Sequence, residues 1–182
     1  IKIAGGSTNV KIFHNSISLA GQISRAVATS DISAVIHIWS SVSQIDIRNN
    51  ILANSIENIT GVSKAYGIYS EAGASAFTAL DYNNYYITGR EAVFGYFGGS
   101  DKTTLAAWQA ATTKDPNSIV TDPNFNSSTV LVPYPGSNEL DRCPIIATIT
   151  DDFLGTARIA PVSMGAYEAG NDLTPPVVSY TP

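Results

Sequence analysis

The sequence predicts an all-β chain folded as a parallel β-helix of about three coils, with one short helix and an irregular C-terminal cap. Three observations lead there: short segments of alternating polar and apolar residues, a repeat of those segments every 35 residues, and a change of pattern after Gly98-Gly99. Alternation with period two marks strands that bury one face. A repeat of this length, with no helical periodicity inside it, marks a stack of similar units.

The first coil supplies Ile1-Lys2-Ile3, Val10-Lys11-Ile12-Phe13-His14 and Ile17-Ser18. Shifted by 35, these fall on Ile36-His37-Ile38, Ile45-Asp46-Ile47-Arg48-Asn49 and Leu52-Ala53. A further shift gives Leu80-Asp81-Tyr82-Asn83-Asn84 and Ile87-Thr88, so Val10, Ile45 and Leu80 are expected in one inward column, and Ile12, Ile47 and Tyr82 in another. In the third coil Gly67-Ile68-Tyr69 arrives early, and a loop is expected to lengthen before Leu80. Residues such as Gly5-Gly6-Ser7, Ser40-Ser41 and Glu71-Ala72-Gly73 separate the strands. Asn15, Asn49, Asn50, Asn83 and Asn84 recur where the second strand ends. Asparagine accepts left-handed backbone angles and bonds to a like amide one coil away, so an asparagine ladder is expected. His14 shares a column with Asn49 and Asn84 in this alignment and is expected to take the same turn-stacking role.

Residues 1–100 form the coils on this reading, 101–170 the cap, and 171–182 a proline-stiffened linker into a following domain. Within the cap, Thr104 to Ala111 reads as a short helix with Leu105 and Trp108 on one side, capped by Ser100, Asp101 or Thr103. The rest holds turn sequences such as Asp115-Pro116-Asn117-Ser118, Asp122-Pro123 and Tyr134-Pro135-Gly136. A stack of strands has an unpaired end, and this segment is expected to cover it.

Composition narrows the function. The chain is 44% hydrophobic and only 14% charged, with a net charge of −5 and a pI near 4.8. No basic stripe exists to displace counterions from phosphates, which argues against a nucleic-acid partner. Cys143 is the only cysteine, so no intrachain disulfide can form. No run of about 18 apolar residues is present to span a membrane. The first residues already read as a strand in progress, so the chain is expected to be the C-terminal part of a longer protein.

The runs Leu105-Ala-Ala-Trp-Gln-Ala-Ala, Asp115-Pro-Asn-Ser-Ile119, Asp122-Pro-Asn-Phe125, Asp152-Phe-Leu-Gly-Thr-Ala-Arg158 and Met164-Gly-Ala-Tyr-Glu168 carry a resemblance. They are similar to the closing segment of bacterial secreted, pectate-lyase-like right-handed parallel β-helix repeat proteins. Where many of those proteins carry a Gly-Ser-Pro-Ala run, this chain has Asp141-Arg-Cys-Pro144. The resemblance implies a right-handed helix, a secreted or cell-surface location and a polysaccharide or cell-surface glycan as partner. The family includes lyases, glycoside hydrolases and adhesins. Thr174-Pro-Pro-Val-Val178 resembles the entry to a bacterial immunoglobulin-like domain.

Two functions are expected on these grounds. The first is a non-catalytic, monomeric module that binds glycans or serves structurally. The second is a piece of a polysaccharide lyase or glycoside hydrolase whose active site lies largely upstream. No glycine-rich phosphate loop, paired zinc histidines or nucleophile elbow is present. The candidate ligand-binding residues are Asp46, Arg48, Asp81 and His37. Asp46 and Asp81 align as outward carboxylates on adjacent coils about 4.8 Å apart. That is close enough to hold a calcium ion weakly, with Arg48 alongside to meet a sugar acid. The same pattern fits a surface charge ladder in which Lys11 and Arg48 balance the aspartates. Tyr82, Tyr85, Tyr86, Phe94, Tyr96, Phe97 and Trp108 offer rings for a sugar platform or for the core, with the core favoured for Tyr82 and Trp108.

Overall fold

A computed structural model describes residues 1–23, 32–59, 63–138 and 141–168 of the chain. The expected linker at 171–182 lies outside these residues. Among them, eleven strands and one α-helix form: β1 (Lys2–Ile3), β2 (Thr8–Phe13), β3 (Ser16–Ile23), β4 (Ile32–Ile38), β5 (Ser43–Arg48), β6 (Ile51–Asn58), β7 (Lys64–Ser70), β8 (Phe77–Asp81), β9 (Asn84–Ile87), β10 (Ala92–Phe97), β11 (Ser100–Lys102) and α1 (Leu105–Thr112). The protein is all-β with parallel sheets. Sheet A runs β1-β4-β7-β10-β11, sheet B runs β2-β5-β8, and sheet C runs β3-β6-β9. Every pair is parallel except β10 with β11. Parallel neighbours far apart in sequence are what a stacked repeat produces, because each strand pairs with its own counterpart one repeat later.

Between the first two repeats the 35-residue shift holds: Ile3 pairs with Ile38, Ile12 with Ile47 and Ile17 with Leu52. The third repeat departs from it. Ile36 pairs with Ile68, 32 positions on, and Ile47 with Leu80, 33 positions on. A register irregularity falls between Ile45↔Phe77 and Asp46↔Ala79, leaving Thr78 as the extra residue. Its hydroxyl donates to the Ile45 carbonyl at 2.9 Å. One inserted residue flips the parity of the residues after it, the ordinary effect of a bulge. The loop before Leu80 does not lengthen as expected: Ile38 to Ile45 and Ser70 to Phe77 span the same number of positions, the one added residue is Thr78 within β8, and the loop holds a short 3-10 turn at Ala74–Ala76. The expected columns therefore change. Leu80, not Tyr82, continues the Ile12–Ile47 column, and Phe77 pairs with Ile45. Tyr85 and Ile87 face Leu52 and Asn54, so Ile87 does not fall on Leu52.

The core between the sheets is almost wholly aliphatic and aromatic: Ile36, Ile38, Ile45, Ile47, Leu52, Ile68, Tyr85 and Trp108 are each fully buried. Trp108 comes from α1 and packs on Phe94 and Phe97 with ring centroids 6.0 and 5.7 Å away. A Cβ on Gly95 would come within 2.9 Å of the Trp108 ring and 3.0 Å of the Ile68 carbonyl, so this strand position must be glycine. The helix is capped by Thr104, whose hydroxyl accepts from the Ala107 N–H at 3.1 Å, and not by the earlier candidates.

The asparagine ladder forms, through Asn15, Asn50 and Asn83. The Asn15 side-chain amide donates to Asn50 Oδ1 at 3.0 Å, and that of Asn50 to Asn83 Oδ1 at 2.9 Å. The same oxygens accept the Asn15 and Asn50 backbone N–H groups. One repeat further the role passes to Ser118, whose hydroxyl accepts from the Asn83 N–H, and to Asp115. Asn49 and Asn84 stand outside the ladder. The residues in left-handed conformation just before it are His14, Asn49 and Tyr82, with φ of 52°, 61° and 54°, so Tyr82 rather than Asn84 completes the His14 column.

The C-terminal region divides in two. Residues 105–121 cover part of the stack's end, where Ile119 bridges Asn84. Residues 141–168 do something else: they run back along the flank formed by the turns between sheets B and C. The Gly165 N–H donates to the Asn49 carbonyl at 2.8 Å, the Asn49 side chain to the Pro144 carbonyl at 3.0 Å, and the Ala166 N–H to Ser16 Oγ at 3.0 Å. Cys143, Val162 and Met164 pack on Ile51 there. The segment expected to cover the end is therefore half end-cover and half lateral strap. Among the described residues no helix is long and apolar enough to cross a membrane.

Candidate functional site

The outward faces of sheets A and B carry the residues in question. On sheet B, β5 presents Asp46 and Arg48 and β8 presents Asp81. Arg48 Nε and Nη2 donate to Asp46 Oδ1 and Oδ2, each at 2.7 Å, a two-pronged pair. The Asp46 partner across the strands is Ala79, whereas Asp81 lies opposite Arg48. The two carboxylates thus do not share a column, a correction whose cause is a pairing shift of 33 residues here in place of the expected 35. The guanidinium lies between them and over Phe13 at 5.3 Å, and its pKa is raised, chiefly by the bond to Asp46. Asp81 is further engaged with Asn117, accepting its backbone N–H at 2.7 Å and its amide at 2.8 Å. Here the carboxylate fastens the Asp115-Pro-Asn-Ser turn onto the stack. Among the described residues no cluster of three or more His, Cys, Asp or Glu side chains could hold a metal ion.

His37 lies apart from these three, on sheet A, and its surroundings are richer than the sequence suggested. Pairing aligns Lys2, His37, Tyr69, Tyr96 and Asp101 in one row across β1, β4, β7, β10 and β11. The Tyr69 and Tyr96 rings stack at 4.3 Å, with 5° between their planes. His37 meets Tyr69 edge-on at 5.0 Å, and Tyr66 does the same at 5.1 Å. Carboxylates close both ends of this group. Glu71 lies 3.3 Å from His37 Nε2, and Asp101 accepts from the Tyr66 hydroxyl at 2.9 Å and pairs with Lys64. Trp39 borders the row, 40% exposed, with the Lys2 ammonium 4.7 Å above its ring.

The cause of this clustering is local. Val35 and Ile36 are consecutive and both fully buried, so sheet A does not alternate strictly. The residues on either side, represented in β7 by Tyr66 and Tyr69, are left on the outer side with their rings in contact. Burial raises the pKa of both, Tyr66 well above the usual tyrosine value with Asp101 adding to the effect, so their hydroxyls stay protonated donors. Rings with polar tips, backed by carboxylates and amines, suit a ligand that is apolar on one face and hydroxylated at its edges.

Of the aromatic residues noted in the sequence, Tyr85, Phe94, Phe97 and Trp108 are core, Tyr82 packs partly buried under the strap, and Tyr96 alone joins this row. Lys64, Tyr66, Tyr69, Glu71 and Asp101 were not among the candidate site residues read from the sequence. The signal was present in the dipeptides Ile36-His37, Ile68-Tyr69 and Gly95-Tyr96, each an inward residue followed by an outward ring. Their spacings of 32 and 27 hid them from a fixed 35-residue period.

Comparison with protein-family models, curated proteins and solved structures finds no match to this chain.

Proposed function

We propose that the chain is a right-handed parallel β-helix of the pectate-lyase-like kind, secreted or held at a cell surface, that binds polysaccharide without cleaving it. The observation that carries this reading is the outward row from Lys2 to Asp101, with stacked Tyr69 and Tyr96 at its centre. Five strands spaced about 4.8 Å apart give the row a length of about 19 Å, enough for a short stretch of sugar chain. The outer edges of the stacked rings can meet the C–H groups of sugar units, while His37, Glu71 and the tyrosine hydroxyls meet sugar hydroxyls. A shallow row of this kind suits weak, high-micromolar binding repeated along a polymer.

Calorimetric titration with a neutral β-glucan and with polygalacturonate tests the proposal. Tyr69→Ala and Tyr96→Ala are each expected to weaken binding about tenfold, a loss of about 1.4 kcal/mol, whereas Arg48→Ala on sheet B leaves it unchanged. Binding lost in Arg48→Ala and kept in the tyrosine variants would move the site to sheet B. No heat with either polymer would end the glycan reading.

A further inference from the structure

The end of the stack that α1 covers is only partly closed. A cavity of about 300 Å³ remains there, lined mainly by apolar groups of Tyr85 and Ile87 of sheet C, Ala92 and Phe94 of sheet A, Leu105 of α1, and Val120, with Thr103 and Thr104 at the start of α1 completing the lining. Four of these side chains belong to or pack against the main core, so the cavity is the apolar interior of the stack seen from its end.

Its shape has a backbone cause. β9 is the edge strand of sheet C, and the chain begins to add a fourth strand beside it. Ile119 bridges Asn84, and the Tyr85 N–H donates to the Ile119 carbonyl at 2.9 Å. Then the addition stops. The Thr121 N–H turns to Asn84 Oδ1 at 3.1 Å, the Asn84 amide donates to the Thr121 carbonyl at 3.0 Å, and Asp122-Pro123 leads the chain away. Proline has no N–H for the ladder, which makes the departure unavoidable. Along a strand, backbone groups point to alternate sides. The Thr88 N–H faces β6, donating to the Asn54 carbonyl at 2.9 Å, so Ile87 presents its N–H and C=O to the same open side as Tyr85. No described strand pairs with Ile87 on that side. A strand continuing the line of Ile119 would place one inward side chain opposite Ile87, where the cavity lies.

We propose that this edge and cavity form a docking site for an extended peptide segment that adds as a strand beside Ile87 and places an apolar side chain in the cavity. Main-chain bonds to Ile87 supply part of the affinity, and the cavity selects an apolar residue at the matching position. The occupant is a polypeptide rather than a small hydrophobe because the site joins an apolar hole to an unfilled backbone edge.

The probe is a short capped peptide alternating threonine with isoleucine, titrated into the full chain and followed by amide NMR. The expected result is saturable binding, slowed hydrogen exchange at the Ile87 amide, and at least a tenfold loss with the same peptide N-methylated along its backbone. Val120→Asp, at a position 56% exposed and therefore tolerant, is expected to weaken binding by a similar factor. Ala92→Phe, which fills the cavity from within, abolishes it. Equal binding of the N-methylated peptide would overturn the proposal in favour of a plain apolar hole, and so would wild-type binding by Val120→Asp. Absence of binding by the unmodified peptide overturns it outright.

Discussion

The stacked strands and the strap at 141–168 solve the same problem, the burial of polar groups, in opposite ways. In the stack, one side chain type is repeated. Each ladder asparagine bonds to its counterpart 33 or 35 residues away and to nearby backbone, so every rung helps its neighbours. In the strap, the groups are different and each is used once. Arg158 pairs with Glu168, both side chains almost wholly buried, and Arg158 Nη2 donates to the Gly165 carbonyl at 3.0 Å. Glu168 also accepts the Ser163 N–H at 3.2 Å, and Asp152 accepts the N–H groups of Leu154, Thr156 and Glu168 at 2.8 to 2.9 Å. Burial pushes the Asp152 carboxyl up, but the three N–H donors with Arg158 outweigh it and hold its pKa below the usual value. The closing runs Asp152 to Arg158 and Met164 to Glu168 thus owe their residue types to this fastening. A repeated device couples the whole stack, whereas a single device holds one segment.

The largest expected effect breaks the repeated device. In Asn50→Ala, the Asn15 N–H and Asn83 Oδ1 lose a partner, as do the Ile12 and Arg48 carbonyls. Several buried groups left unsatisfied together should cost about 4 kcal/mol. Urea unfolding is expected to show a single transition at a lower midpoint. An unshifted midpoint would mean that the ladder does not couple the repeats.

The next breaks the single device. Arg158→Met leaves Glu168 buried without its cation, at a cost of about 3 kcal/mol. The damage should be local: hydrogen exchange is expected to accelerate across 141–168 while β4 to β7 stay protected. Acceleration spread evenly over the chain would show that strap and stack unfold as one.

The smallest effect sharpens the comparison through pH. Asp115, at the end of the ladder, is buried with four donors around it, and burial raises its pKa from 3.8 to about 6. His14 lies under the strap, bonded to Asn49, and burial together with the nearby Arg158 lowers its pKa from 6.5 to about 4. The folded state holds the Asp115 proton more tightly than the unfolded chain does. The stability this contributes is full below pH 3.8 and is lost as pH rises through about 6. For His14 the sign is reversed: the contribution is full above pH 6.5 and is lost as pH falls to about 4. Each changes stability by about 2 kcal/mol across the shared window, in opposite directions, so they nearly cancel. Asp115→Asn should therefore make the protein lose stability on acidification relative to wild type, and His14→Gln should make it gain. Urea midpoints between pH 4 and pH 6 read both slopes, and wild-type slopes in both variants would count against these assignments.

The all-β class, the first two repeats, the asparagine ladder and the inward Trp108 were legible in the sequence, because each depends on local alternation or on a side chain suited to one backbone position. Ile12 and Ile47 declare their face through their neighbours, and Asn15 and Asn50 declare a turn. What only the tertiary structure decided was register and return path. A pairing shift of 33 rather than 35 residues in the third repeat set Asp81 against Arg48 instead of Asp46, which separated the two expected carboxylates. The early arrival of Tyr69 brought it to His37 and Tyr96 across spacings that no fixed period finds. The strap meets Asn49 and Ser16 through contacts spanning about a hundred residues or more, with no pattern of their own. A side chain's parity is written in its neighbours; its partner across strands depends on the length of everything between.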